Sequence, residues 1–216
     1  MVMSSNKIIT TPRGVAKFCH LVKPSTKFNP EGVYSLSLLL EGEEASALID
    51  KIEEAIQANL DEIRKELKNP RKQIKENDRP YKDDEDKDGN PTGKTLFVFK
   101  QKASATAKDG TKLTFKPALY DSRGNVIHPK DIGFGSVVRA AFEIVPYCNP
   151  SSGAGVQLRL RGVQIIELRT GELTAEALGF GIEEDGYVAD ETDETGTALA
   201  KAEAADGAPA PDESDF

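Results

Sequence analysis

The sequence predicts a mainly β protein, a small closed or nearly closed barrel with one long amphipathic helix, followed by an acidic tail. Three observations carry this. Five to seven short apolar stretches bounded by turn residues recur between Thr11 and Leu168, the spacing expected of a barrel of short strands. One stretch among them, Glu43 to about Lys68, switches to a helical period. The charge divides unevenly: residues 1–170 hold 27 basic against 22 acidic side chains, whereas Gly171 to Phe216 holds 14 acidic residues and a single base, Lys201. The expected division is therefore a body over 1–170 and a largely disordered acidic tail over 171–216.

Val15 to Val22 reads as the first strand, entered through Thr11-Pro12-Arg13-Gly14. Alternation puts Cys19 and Leu21 on one face and Phe18 and His20 on the other. If the Cys19 face is core, Phe18 and His20 lie on a wet surface; packing of Phe18 under the helix is the alternative. Lys23-Pro24 ends the strand, and Asn29-Pro30 marks the turn to the second, Val33 to Leu40. Gly42 closes that strand and the helix follows. Its apolar residues Leu48, Ile49, Ile52, Ile56, Leu60, Ile63 and Leu67 form one stripe. Glu43 and Glu44 suit its positive N-terminal end, and Asn69-Pro70 stops it.

Residues 70–94 form a polar connection with three prolines, expected to be mobile. Within it Asp84, Asp86, Asp88 and Gly89 match the opening half of a calcium loop, but Thr95 stands where the closing Glu belongs, so no metal site is expected. Leu96 to Ala107 and Lys112 to Tyr120 read as a hairpin across Asp109-Gly110. Phe97 and Phe99 alternate with Lys100 and Lys102, and Leu113 and Phe115 with Lys112 and Lys116, which points to a basic face. Ordinary solvated lysines are the alternative. A last hairpin runs from Ser136 through Tyr147, turns at Asn149 to Gly153, and returns to Leu168. Arg159 and Arg161 alternate there with Leu158 and Leu160, and Arg139 adds a further cation to the same hairpin. Cys19 and Cys148, far apart and in no Cys-x-x-Cys pattern, read as buried thiols. Five strands suit the OB-type barrel best, although its helix ordinarily follows the third strand and here follows the second.

Several function classes drop out. The chain has no nucleophile motif, no phosphate-cradling loop and only two histidines, so no enzyme and no cofactor is expected. No apolar run approaches the ~20 residues that cross a bilayer, and Met1 to Thr10 lacks the pattern of a signal peptide. The reading is a cytoplasmic protein without a membrane partner. A polyanionic tail on a mildly basic body suggests that the tail stands in for nucleic acid. Phe216, bare after Asp212-Glu213-Ser214-Asp215, reads as a docking end rather than a core residue. The competing class is an acidic adaptor or nucleic-acid mimic that does not itself bind DNA.

The chain also resembles the single-stranded DNA-binding proteins encoded by short-tailed bacteriophages. The resemblance rests on Asn29-Pro30-Glu31-Gly32-Val33-Tyr34, Phe97-Val98-Phe99-Lys100, Asp121-Ser122-Arg123-Gly124, Ile144-Val145-Pro146-Tyr147 and Val156-Gln157-Leu158-Arg159-Leu160, in that order, with the terminal Asp215-Phe216. It implies an OB fold with an inserted helix, sequence-independent binding of single-stranded DNA in replication, recombination and repair, and a tail that contacts the phage polymerase and helicase-primase. A homodimer is left open. Tyr147 matches the family's base-stacking tyrosine, and Lys23, Lys100 and Lys112 fall near basic positions. Members can carry Trp after the Val-Pro-Tyr run, whereas this chain has Cys148-Asn149. Stacking then rests on Tyr147 with Phe18, His20 or Tyr34.

Overall fold

The computed structural model describes residues 7–27, 29–67, 74–107, 109–149, 151 and 153–170. Contacts divide the chain into Met1–Glu172 and Leu173–Phe216. The second unit, and with it the expectations for Asp212, Glu213, Asp215 and Phe216, lies outside the described residues.

Among the described residues ten strands and one helix follow in order: β1 (Ile9–Thr10), β2 (Gly14–Ser25), β3 (Val33–Glu41), α1 (Gly42–Glu66), β4 (Tyr81–Glu85), β5 (Pro91–Lys102), β6 (Ser104–Thr106), β7 (Lys112–Thr114), β8 (Ala118–Tyr120), β9 (Val137–Asn149) and β10 (Gly153–Glu167). Five of them close a ring. β2 pairs β3, β3 pairs β5, β5 pairs β10, β10 pairs β9, and β9 returns to β2. Only the β5–β10 contact in this ring is parallel. This is the OB-type barrel of five strands, with β1, β4 and β8 added outside the ring on β9, β5 and β10.

Alternation fills the interior. Leu36 and Leu38 of β3, Phe97 and Phe99 of β5, Phe142 of β9, and Leu158 and Leu160 of β10 are all fully buried. Each such side chain contributes about 1.5–3 kcal/mol on transfer from water. Phe99 and Phe142 meet edge-to-face, centroids 5.0 Å apart. The helix packs its stripe, including Leu48, Ile52, Ile56 and Leu60, against the barrel strands. It starts at Gly42, whose φ of 64° suits a residue without Cβ, and has no side-chain cap. Glu43 and Glu44 face its N-terminal charge instead. Among the described residues no helix is long and apolar enough to cross a membrane.

The fold departs from the sequence reading in three places. The polar connection 70–94 contains a strand, β4, and β5 begins within it at Pro91. The run Tyr81-Lys82-Asp83-Asp84-Glu85 hides its alternation because β4 is mostly exposed and held by specific polar partners. Asp84 is paired with Lys17, Tyr81 donates to Glu53 Oε1 at 2.8 Å, and its ring lies 5.8 Å from that of Phe97. The acidic loop uses its carboxylates internally. Thr92 Oγ1 donates to Asp84 Oδ2 at 3.0 Å, and Asp86 Oδ1 accepts from the Asp88 and Asn90 amides at 2.9 and 2.8 Å. The long hairpin breaks up: β6 and β7 form a separate two-stranded sheet, and β8 turns away to pair β10. Pro117 lies between β7 and β8 and offers no N–H to a ladder. Finally, Cys148 is exposed, because the end of β9 that carries it leads into the turn. Cys19 is half-buried, and burial, with Asp131 nearby, pushes its thiol up to about 11.

Candidate nucleic-acid interface

Residues paired directly across a sheet point to the same face. The register therefore lays out the outer surface of the barrel as one row: His20 of β2, Ser35 of β3, Lys100 of β5, Arg159 of β10 and Glu143 of β9. His20 Nδ1 lies 3.4 Å from Ser35 Oγ, in keeping with that order. Phe18 is paired with Ser37 on the same face and is 60% exposed. Tyr147 is paired with Gly155, two steps along from Gln157 and four from Arg159.

A groove of about 480 Å³ opens on this face. Its lining includes Val98 and Lys100 of β5, Tyr147 of β9, Val156 and Gln157 of β10, and Asn29 from the β2–β3 loop. Its second wall is the segment Asn77-Asp78-Arg79-Pro80, which crosses the start of β10. Two backbone bonds fix that crossing: Ala154 N donates to Lys75 O at 2.8 Å, and Asn77 N to Ala154 O at 2.9 Å. Arg79 ties the wall to the helix through a two-pronged pair with Glu53, 3.1 Å at each prong, and donates to Glu76 at 3.0 Å. Burial works to raise the Glu53 carboxyl, but the bonds from Arg79 and Tyr81 outweigh it and hold it below its ordinary value. Burial and the same carboxylate push the Tyr81 hydroxyl up to about 12.

Tyr147 is the best-positioned ring. Asn77 Nδ2 donates to its hydroxyl at 2.6 Å. A Cβ on Gly155 would lie 3.0 Å from that hydroxyl oxygen and 3.2 Å from the ring carbon that bears it, so a larger residue there would push the ring off by a few tenths of an ångström. The backbone beneath is held by Asn59 of α1, whose Nδ2 donates to Tyr147 O and to Gly155 O, both at 3.0 Å. An amide on the buried face of the helix thus sets the height of the strand that carries the ring.

The remaining cations separate into two groups. Lys100 and Lys102 line the groove and are exposed, and neither is paired with a described carboxylate. Lys23, Lys112 and Lys116 are exposed as well, the first at the end of β2 and the others on and beyond β7. The arginines are engaged: Arg161 donates from Nε and Nη2 to Glu143 at 2.9 and 3.0 Å, and Arg159 Nη1 lies 3.7 Å from the same carboxylate. Arg139 Nε donates to Thr11 O at 3.1 Å and fastens the N-terminal segment instead of lining the groove. Tyr34 turns inward and is 8% exposed, leaving no ring face open to a base. The structure thus joins Tyr147, Lys100 and Lys102 in one groove and sets Tyr34 and Arg139 apart from it. Asn77, Arg79 and Gln157 were not expected there, nor Asn59 beneath it. Asn59 left a signal, a lone amide on an otherwise apolar stripe; the wall residues left none.

Residues 13–168 match the model of the family described as single-stranded DNA-binding protein, bacteriophage T7. The chain belongs to this family. It is similar to the single-stranded DNA-binding protein of Escherichia phage T7, 31% identical over 205 residues and 86% of each chain. The crystal structure of gp2.5, a single-stranded DNA-binding protein encoded by bacteriophage T7, superposes with a TM-score of 0.62 at 30% identity, covering 86% of this chain and 100% of that one. The single-stranded DNA-binding protein of bacteriophage Enc34, in complex with ssDNA, shares the fold at a TM-score of 0.52 and 17% identity, over 76% of this chain and 88% of that one. The family is one of binding proteins and not of enzymes, in line with the missing catalytic motifs.

Proposed function

We propose that this protein binds single-stranded DNA without sequence choice, through the groove between Tyr147 and the Lys100–Lys102 edge. The observation that carries the reading is the position of Tyr147, anchored by Asn77 and Asn59 beside two lysines that pair with no described carboxylate, on the barrel face and between the loops that OB folds use for oligonucleotides. A base stacks on the ring and phosphates run along the ammonium groups, both indifferent to sequence. Phe18 and His20, exposed on the same face, extend the path across β2. Lys23, Lys112 and Lys116 attract the strand from the flanks, and Arg159 and Arg161 do so within the limits their carboxylate partner sets. Membership of the T7 family supports the same ligand.

The place of action under this reading is the cytoplasm of the infected host, in phage DNA replication, recombination and repair. The tail, with 14 acidic residues against one base, competes with DNA for the basic groove. Once displaced, Asp212, Glu213, Asp215 and Phe216 recruit the phage polymerase and helicase-primase. A homodimer is the further assembly that sedimentation would detect. The test is anisotropy of labelled oligo-dT with the intact chain and a chain ending at Glu183, across a salt series. Salt-dependent binding that strengthens on truncation is expected. Equal affinity of the two at low salt removes the competing tail, and no binding by either removes the DNA reading and leaves the acidic adaptor.

A further inference from the structure

Arg79 lines the groove, yet its charge is already taken up within the protein. Each of its three nitrogens donates to a carboxylate: Nε and Nη2 to Glu53, both at 3.1 Å, and Nη1 to Glu76 at 3.0 Å. Tyr81 donates its hydroxyl to the same Glu53 at 2.8 Å. The Arg79–Glu76 bond brackets Asn77, and Asn77 Nδ2 donates to the Tyr147 hydroxyl at 2.6 Å. A bonded route therefore runs from α1 through Glu53, Arg79 and Glu76 to the segment that carries Asn77, and from Asn77 to the ring. Six residues along the same helix, a rise of about 9 Å, Asn59 holds the backbone beneath that ring. One helix thus carries the fastenings of the groove wall and of its platform, although Glu53 itself does not line the groove.

We propose that Glu53 is a positioning residue for single-stranded DNA, acting through Arg79 and Asn77 to hold the Tyr147 ring in its base-accepting position. The inference rests on the DNA reading above and deepens it. Glu53 touches no DNA; it fixes the wall from behind, and the wall fixes the ring. A platform ordered before the strand arrives spares binding the entropy of ordering it afterwards, and a site on a rigid element is held more closely than one on a loop. The two-pronged geometry suits this role, since both carboxylate oxygens set the plane of the guanidinium. Charge and position make opposite predictions for this residue. A carboxylate near a polyanion's groove lowers affinity by repulsion, so removing it tightens binding if charge alone counts and weakens binding if position does.

The test is a double-mutant cycle on the full chain, read by anisotropy of labelled oligo-dT at one fixed salt concentration, with thermal melts to establish that each variant is folded. Glu53→Gln should weaken binding by about fivefold, the effect of one net hydrogen bond. Arg79→Lys, which keeps the charge and loses the fork, should weaken it similarly and carries the test if Glu53→Gln does not fold. Tyr147→Phe removes the hydroxyl through which the route ends, so adding either substitution to Tyr147→Phe should cost no further affinity; a merely structural role would give additive losses instead. Folded variants that bind as well as wild type or more tightly, or losses that add to that of Tyr147→Phe, overturn the positioning role and leave the groove standing. Absence of binding by wild type overturns the DNA reading itself.

Discussion

Asn77 and Tyr147 lie 70 residues apart and are joined by a hydrogen bond of 2.6 Å from the Asn77 amide to the tyrosine hydroxyl. The bond links the wall of the groove to its aromatic platform, and Gly155 leaves the space in which the ring lies. Tyr147→Phe keeps the ring and loses the bond, so oligo-dT affinity should fall less than tenfold, the scale of one net hydrogen bond. Gly155→Ala should weaken binding further, because the added methyl meets the tyrosine hydroxyl at 3.0 Å and its ring carbon at 3.2 Å. Titrations of both variants, with melting curves to check the barrel, decide between a positioned platform and an incidental contact.

Asn59 sits on the buried face of α1 and satisfies two carbonyls of the β9–β10 hairpin. Asn59→Leu leaves both carbonyls without this donor and should lower stability by about 1–3 kcal/mol. Denaturant unfolding measures it, and a wild-type midpoint would show that the helix is held by its apolar stripe alone.

Glu143 is 7% exposed and neutralises Arg161 and Arg159 on the binding face. Glu143→Gln keeps the shape and removes the charge. Affinity for single-stranded DNA should rise at low salt, and the slope of log K against log salt should steepen by about 0.7 for each phosphate gained. An unchanged slope would place both guanidinium groups outside the DNA path.

Stability should fall in acid. Asp84 is held below its ordinary value chiefly by the hydrogen bond from Lys17, and Glu53 by Arg79 and Tyr81 against the opposing effect of burial. A carboxyl lowered in the folded state contributes stability that is present above its unfolded value and is lost as the pH falls through the folded one. The melting temperature should therefore drop below about pH 4. Asp84→Asn should flatten that dependence, and a wild-type slope in the variant would assign the acid sensitivity elsewhere.

Much of this fold was legible because periodicity reports burial. Leu36 and Leu38 flank Ser37, Leu158 and Leu160 flank Arg159, Phe97 and Phe99 share the same alternation, and all enter the core, while the stripe from Leu48 to Leu60 is buried as one face. Lys100 and Lys102 were readable as outward for the same reason. What escaped depends on contacts distant in sequence. β4 is nearly all charged and is held by Lys17 and Glu53, respectively 67 residues from Asp84 and 28 from Tyr81. The groove wall at Asn77 to Pro80 has no period of its own and takes its place from β10. The engagement of Arg159 and Arg161 by Glu143 follows from pairing across β9 and β10 and from nothing in either strand alone.

The most direct measurement is a salt-series titration of oligo-dT with the intact protein beside Tyr147→Ala. The account predicts that wild-type affinity falls linearly in log salt as neutralised phosphates release counterions. Tyr147→Ala should bind more weakly by about 1–3 kcal/mol with the same slope, because the ring meets a base and not a phosphate. Wild type that fails to bind, or a folded Tyr147→Ala that binds equally well, would contradict it.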